Sequence, residues 1–195
     1  MGGTRREPAP EDPQPQPEAA AEEPAGMFRF QVLADREARW SESRYFRDFA
    51  IGHSWVRLID PAGDVDSWGY WPDLEGGHGV DTSHPWKSIP GRTRHPDTSH
   101  VPNATLSYDI DAKAAKKVAK FGNDKVASPG MYNLFTYNCT TFACEMAATA
   151  GVPVPSAGTL GIKNPNDLYA GIQAMNADRG LDVMGQAPPS NAPEE

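Results

Sequence analysis

The sequence predicts an α+β fold, because strand patterns and helix patterns occupy separate stretches of a chain of 195 residues. Two strand-like runs, 51–59 and 65–71, flank residues 60–64, whose Asp-Pro-Ala-Gly-Asp sequence predicts a β-hairpin turn. Further along, the stretches 139–150 and 165–175 repeat apolar residues at helical spacing. The predicted order is a hairpin, a strand, a helix, a strand and a helix, which is typical of the α+β class.

The remaining elements are predicted from shorter patterns. In chain order they are a strand at 27–33, a helix or ordered loop at 35–49, an irregular stretch at 72–104, a strand at 105–110, a helix at 112–121 and a strand at 131–137. Asp111 is a suitable N-cap for the first of these helices, and Gly122-Asn123 is expected to end it. Gly151 is expected to end the second helix, and Asn164 to cap the last one.

Both ends of the chain differ in composition from the middle. Residues 1–26 contain six Pro, six acidic residues and two Arg, and the last eleven residues, 185–195, have a similar composition. Such stretches have little apolar surface to bury, so we predict two disordered tails around one folded domain at 27–184. Six of the eight net negative charges belong to the tails, which leaves the predicted domain nearly neutral.

Composition also excludes several classes of protein. The balance of 18 Lys and Arg against 26 Asp and Glu disfavours a general nucleic-acid binder, since duplex affinity depends on neutralising phosphates. No run approaches the roughly 18 consecutive apolar residues of a membrane span. No Sec-type signal is visible at the start of the chain, so synthesis in a reducing cytosol is expected. Two cysteines cannot form a disulfide framework.

Cys139 is the strongest candidate for chemistry, because it follows a predicted strand and opens a predicted helix. Unpaired backbone N–H groups and the helix dipole favour a thiolate there, and the same N–H groups can hold an oxyanion. The alternative for Cys139 is a buried, unreactive thiol. For Cys144, further along the same predicted helix, a structural role of this kind is expected. The two sulfurs should be too far apart along the helix for a disulfide.

A cysteine nucleophile needs a base, and His53 is the histidine that lies in a well-formed predicted strand. A rigid strand position suits a base that must stay within hydrogen-bond reach of the sulfur. The alternative is a half-exposed strand residue without a chemical role.

Three short strings together carry a resemblance to a known superfamily. They are Gly-His-Ser-Trp at 52–55, Trp-Gly-Tyr-Trp-Pro at 68–72 and Asn-Cys-Thr-Thr-Phe at 138–142. Over residues 53–153 the chain resembles the circularly permuted papain-like thiol enzymes, which include NlpC-type, lecithin:retinol acyltransferase-like and PPPDE-type members. It also resembles uncharacterised bacterial domains found in toxin or effector contexts.

The resemblance implies an antiparallel sheet packed on the helix that carries Cys139, with Cys139 as nucleophile and His53 as base. Many members orient the histidine with a third polar residue, often a His, on the following strand, and this chain has no His there. The expected substitutes are Asp66, Ser67 or Tyr70, and a dyad without an orienting residue is an alternative. The third string also contains Asn138, which is expected to support the turn or the oxyanion hole.

The irregular stretch suggests a rival site. It holds four histidines and two aspartates that could ligate zinc: His78, His84, His95, His100, Asp81 and Asp97. Their spacing matches no compact zinc motif, so solvated loop residues or contacts at the mouth of a cleft are expected, and no metal or other cofactor is predicted.

We therefore expect a cysteine hydrolase that cleaves an amide, peptide or isopeptide bond of a cell-wall peptide or a host protein. The resemblance further implies bacterial effector cargo, delivered by a secretion or injection apparatus. One alternative is an acyltransferase that uses the same thioester chemistry. Another is a non-enzymatic interaction module in which Cys139 is buried.

Overall fold

The structure of the protein is a computed structural model that describes residues 26–36, 52–73, 86–159 and 161–186. Within these ranges, eight strands and three helices follow one another along the chain. The strands are β1 Phe28–Asp35, β2 His53–Ile59, β3 Val65–Pro72, β4 Ile89–Arg94, β5 Ala104–Ile110, β6 Met131–Tyr132, β7 Gly158–Thr159 and β8 Ile162–Lys163. The helices are α1 Ala112–Ala127, α2 Cys139–Ala150 and α3 Pro165–Asp178.

A six-stranded sheet in the order β5-β1-β2-β3-β4-β6 forms the centre of the fold, and each neighbouring pair is antiparallel. Strands β7 and β8 form a separate small hairpin. The sheet and the three helices confirm the predicted α+β class. None of the described helices has the length and apolarity needed to cross a membrane.

The core lies between the sheet and the helices. Alternate residues of β1, β2 and β3 face it, as the period of two predicts. The core residues of α2 include Phe142 and Met146, while Leu168 and Ile172 belong to α3; all four are fully buried. Helix α2 is buried along most of its length, so the sheet fixes where the helix begins.

Two predicted boundaries differ by five or more residues from the structure, and local contacts account for both. Helix α1 continues through Gly122, where the absence of a side chain leaves room for the indole of Trp68. The predicted strand at 131–137 stops after two residues, because the Asn133 side chain accepts hydrogen bonds from the N–H groups of residues 135 and 136 and folds the chain into a turn. Asn164 caps α3 as predicted.

Strand β4 and the β7–β8 hairpin were not predicted. Strand β4 contains Pro90 and Gly91, which normally interrupt a strand pattern. Here Gly91 provides space, since a Cβ at that position would overlap the phenol ring of Tyr70. Most of the helix or loop predicted at 35–49 lies outside the described residues, and Asp35 is the last residue of β1. The tails predicted at 1–26 and 185–195 also lie almost wholly outside them.

Candidate active site

Cys139 is the first residue of α2, and the preceding Asn138 positions it. The Asn138 side-chain oxygen accepts hydrogen bonds from the N–H groups of residues 140 and 141, at 2.9 and 3.0 Å. Its amide nitrogen donates to the carbonyls of Leu134 at 2.8 Å and Lys163 at 2.7 Å. With all of these groups engaged, Asn138 supports the turn, and the free N–H at the helix start is that of Cys139.

His53, the first residue of β2, lies beside Cys139, and the two side chains are close enough to interact. Burial raises the pKa of the Cys139 thiol, but the hydrogen bond and the charge of His53 lower it by a larger amount. The net pKa of the thiol therefore lies below its ordinary value. Burial lowers the pKa of His53, but hydrogen bonds and charges from Asp97 and Cys139 raise it above 6.5 overall. These opposite shifts favour a thiolate paired with an imidazolium.

Two groups from neighbouring residues also favour the thiolate. The backbone N–H of Ser54 hydrogen-bonds the Cys139 sulfur and lowers the pKa of the thiol. The Thr140 hydroxyl lies 4.0 Å from the sulfur and hydrogen-bonds the Ser54 hydroxyl at 3.1 Å. The start of β2 and the start of α2 are therefore joined at the sulfur.

Asp97 is the third member of the arrangement. Its Oδ2 lies 2.8 Å from Nε2 of His53, and both side chains are almost completely buried. This leaves Nδ1 as the ring nitrogen available to Cys139. Burial raises the pKa of the Asp97 carboxyl, but His53, Trp71 and Ser99 together hold it well below its usual range. Asp97 therefore stays ionised and fixes the histidine ring.

The Asp97 carboxylate is held from several sides. The Trp71 indole N–H donates to the same Oδ2 at 2.8 Å, and the Ser99 hydroxyl donates to Oδ1 at 2.7 Å. The backbone of Asp97 is fixed by Ser67, whose hydroxyl accepts from the Asp97 N–H at 3.0 Å and donates to the Asp97 carbonyl at 3.2 Å. A segment outside the regular strands is thus held beside His53.

Gly69 on β3 provides the space for this pair. Its register partners are Trp55 on β2 and Arg94 on β4. A Cβ at position 69 would overlap Oδ2 of Asp97 and would lie 2.9 Å from Nε2 of His53. A residue without a side chain is therefore needed at this position of β3.

The three residues predicted to orient His53 occupy other places. Asp66 is exposed, and its carboxylate lies 3.8 Å from Nε2 of His95. Ser67 acts on the backbone of Asp97, one step away from the histidine. Tyr70 lies in the core against Phe142, and burial raises its pKa to about 12.

Tyr132 on β6 adds a hydroxyl next to the sulfur. Burial, the charge of Cys139 and a hydrogen bond with it raise the pKa of Tyr132 well above 10, so the phenol keeps its proton. Within the described residues, the Cys139 N–H donates to no protein acceptor. Two donors, one phenolic and one backbone, therefore flank the nucleophile.

Cys144 differs from Cys139 although both are buried. Burial raises the pKa of the Cys144 thiol, with Lys163 partly opposing that effect. The two cysteines of one helix therefore have pKa shifts of opposite sign.

The histidines considered as zinc ligands do not converge in the described structure. His95 stacks on Trp68, and His100 hydrogen-bonds Asp35 at 2.6 Å, while Asp97 is committed to His53. Among the described residues, no three His, Cys, Asp or Glu side chains form a group that could hold a metal ion. His78, His84 and Asp81 lie outside those residues.

The sequence contains one indirect signal for Asp97. Gly69 interrupts the aromatic run of β3, and a glycine inside a strand marks a close approach of other atoms. That signal indicates that something crosses β3 at this point, but it does not say which residue.

Comparisons with known proteins add no assignment. The chain matches no protein-family model, and neither a curated protein nor a solved structure matches it.

Proposed function

We propose that the protein is a cysteine hydrolase that cleaves an amide, peptide or isopeptide bond through Cys139, His53 and Asp97, on a fold of the permuted papain-like type. The observation that carries the proposal is the chain of contacts from Cys139 through His53 to Asp97. A nucleophile, a base within hydrogen-bond reach and a carboxylate that orients the base are the parts that acyl transfer requires.

In the first half of the reaction, the Cys139 thiolate attacks the scissile carbonyl carbon and its oxygen becomes an oxyanion. The Cys139 N–H and the Tyr132 hydroxyl are the donors available to stabilise that charge. The His53 imidazolium gives its proton to the leaving amine as the C–N bond breaks. A thioester at Cys139 and a free amine are the products of this half.

In the second half, the now neutral His53 takes a proton from water, and the water oxygen attacks the thioester carbonyl. The C–S bond breaks, the carboxylic acid leaves and the Cys139 thiolate forms again beside the imidazolium. Asp97 keeps its negative charge throughout and stabilises the imidazolium at both stages. Besides the substrate and the water, each group in the scheme is a residue of this chain.

Trapping the acyl-enzyme tests the function directly. Wild-type protein would be incubated separately with cell-wall peptides, with a protein digest and with phospholipid vesicles, quenched in acid, and the mass added to the Cys139 peptide would be measured. We expect a peptidyl adduct in wild type and in Cys144→Ala, and none in Cys139→Ala. A fatty-acyl adduct would point to an acyltransferase instead.

Alkylation tests the site without a substrate. Iodoacetamide should modify Cys139 much faster than Cys144 at neutral pH, and His53→Ala should remove most of that difference. Slow and equal modification of both cysteines in wild type would contradict the proposed hydrolase, since neither thiol would then be activated.

A further inference from the structure

The side chains around His53 and Trp71 affect which substrates the site accepts. This inference rests on the proposed function. Because His53 delivers its proton to the leaving amine, that amine lies on the His53 side of Cys139. The departing part of the substrate would therefore extend toward the side chains packed around His53.

The register of the sheet places a cation in this region. Trp55, Gly69 and Arg94 are direct partners on β2, β3 and β4, so they share one face of the sheet. His53 and Trp71 lie two residues from Trp55 and Gly69 along their strands, which puts them on the same face. Two arginines of β4 lie on this face, Arg94 opposite Gly69 and Arg92 opposite Trp71, and the guanidinium of Arg94 lies over the Trp71 ring.

Two contacts fix the Arg94 guanidinium. Its Cζ lies 4.3 Å from the centre of the Trp71 ring, and Nη1 donates to the Ser99 hydroxyl at 3.3 Å. Trp71 in turn lies 4.0 Å from His53, measured between ring centres. Within the described residues, Arg94 forms no ion pair with a carboxylate. A held guanidinium, with N–H groups that have no acceptor among the described residues, therefore stands one ring away from the base.

Two carboxylates in the described part of this region are already engaged. Asp97 is bound by His53, Trp71 and Ser99. Asp35 accepts from Asn103 at 3.0 Å and pairs with Nδ1 of His100 at 2.6 Å.

The aromatic rings here include a second donor that has no acceptor within the described part of the chain. His100 lies 5.3 Å from Trp71 and 5.1 Å from His53, measured between ring centres, and Trp55 stacks on His53 at 5.5 Å. The indole N–H of Trp55 is buried and donates to no acceptor among the described residues. Aromatic surface together with unpaired donors suits an anionic group on an organic ligand.

We propose that Arg94, stacked on Trp71, binds a free carboxylate on the leaving part of the substrate. A guanidinium binds a carboxylate through two parallel hydrogen bonds, and the ring beneath it holds the guanidinium plane in place. The preferred substrate is then an amide whose amine component is an amino acid with a free carboxylate, such as the last residue of a peptide.

A pair of alkylating reagents tests this without a known substrate. Iodoacetate carries a carboxylate where iodoacetamide carries an uncharged amide. In both reactions the reagent's CH₂ carbon forms a bond to the Cys139 sulfur and iodide leaves. The rate ratio of iodoacetate to iodoacetamide at Cys139 should fall about three- to ten-fold in Arg94→Gln and in Arg94→Met at low ionic strength. The His53 imidazolium also attracts iodoacetate, but it is common to all the variants and cancels in the comparison.

Arg57→Gln is the matched control, because it removes one positive charge from the same face of the sheet, on β2. Arg57 lies four residues beyond His53, about 13 Å away along the strand. The rate ratio of iodoacetate to iodoacetamide at Cys139 in Arg57→Gln should equal the ratio in wild type.

An unchanged ratio in both Arg94 variants, or an equal fall in Arg57→Gln, would overturn the carboxylate subsite. Either outcome would leave the hydrolase proposal intact. Failure of the hydrolase would show instead as slow alkylation that His53→Ala does not change.

Discussion

Gly69 determines the geometry of the site although it contributes no functional group. The space above it holds the Asp97 carboxylate, which enters from the segment after β4 and meets His53 on β2. Strands β2 and β3 and the segment after β4 therefore meet at the backbone of Gly69.

Gly69→Ala should abolish the chemistry while sparing the core. The added methyl would displace Asp97 from His53, and we expect Cys139 alkylation near pH 6 to slow at least ten-fold. The measurement is the iodoacetamide rate by peptide mass spectrometry, with thermal unfolding in parallel. Gly63→Asn is the control, since Gly63 lies in an exposed turn with φ of 97° that Asn tolerates better than other side chains. A Gly69→Ala protein that reacts like wild type would contradict the role given to Asp97.

The shifted pKa values predict how alkylation depends on pH. Burial raises the pKa of the Cys139 thiol and His53 lowers it by more, so the thiolate should form below the ordinary thiol pKa of 9.0. In His53→Ala that stabilisation is lost while burial remains, so the alkylation profile should move to higher pH. Rates measured from pH 4 to 10 would check the direction. A profile that moves to lower pH, or does not move, would contradict the thiolate–imidazolium pair.

Residue patterns alone were enough to select Cys139 and His53 as candidates. Each opens a regular element, and the chemistry of a helix start or a strand start can be judged locally. Asp97 could not be chosen in the same way, because it lies in an irregular stretch and meets His53 only through the fold, 44 residues further along the chain. The glycine at position 69 is visible in the sequence, but the residue that occupies the space above it is not.

At the scale of elements, α2 depends on Asn138 for both its start and its attachment. The side chain caps the helix and also ties it to the β8 hairpin through the Lys163 carbonyl. The sequence predicted where this helix starts and stops, because Asn and Gly mark both ends. It did not predict the link to β8, since a side chain that bonds a distant carbonyl leaves no periodic pattern.

Asn138→Ala should lower both stability and reactivity. Loss of the cap costs about 1–2 kcal/mol in the free energy of unfolding, and the two carbonyls it serves lose their donor. Urea denaturation would measure the first effect, and the Cys139 alkylation rate the second. Asp111→Ala, which removes the cap of α1, should lower stability without slowing Cys139. If both variants leave alkylation unchanged, the cap does not position the nucleophile.

For the whole molecule, the same packing that builds the core also fixes the site. Gly122 leaves room for the Trp68 indole, and Gly91 leaves room for the Tyr70 phenol. Two glycines that interrupt the helix and strand patterns of the sequence therefore mark close contacts between elements. A single sequence shows such glycines but not their partners. This explains why the α+β class was predictable while β4, the end of α1 and the third site residue were not.

The His53–Asp97 pair should make global stability depend on pH in a defined direction. The pKa of His53 is raised from 6.5 in the folded protein, so its contribution is complete below pH 6.5 and is lost as pH rises through the folded value. The pKa of Asp97 is lowered from 3.8, so its contribution is present above that pH and is lost on further acidification. The stability that the pair provides should therefore be greatest between about pH 4 and 6.5.

Comparing wild type with Asp97→Asn isolates this contribution, because the amide keeps the size of the carboxylate and removes its charge. The difference between their free energies of unfolding, from urea titrations at pH 5.5 and at pH 9, should be larger at pH 5.5. The reason is that folded wild type retains the His53 proton to higher pH than folded Asp97→Asn, so wild-type stability falls more steeply as pH rises. Running the same pair in a Cys139→Ala background removes the titration of the thiol. A difference that grows towards pH 9 would mean that Asp97 does not hold a protonated His53.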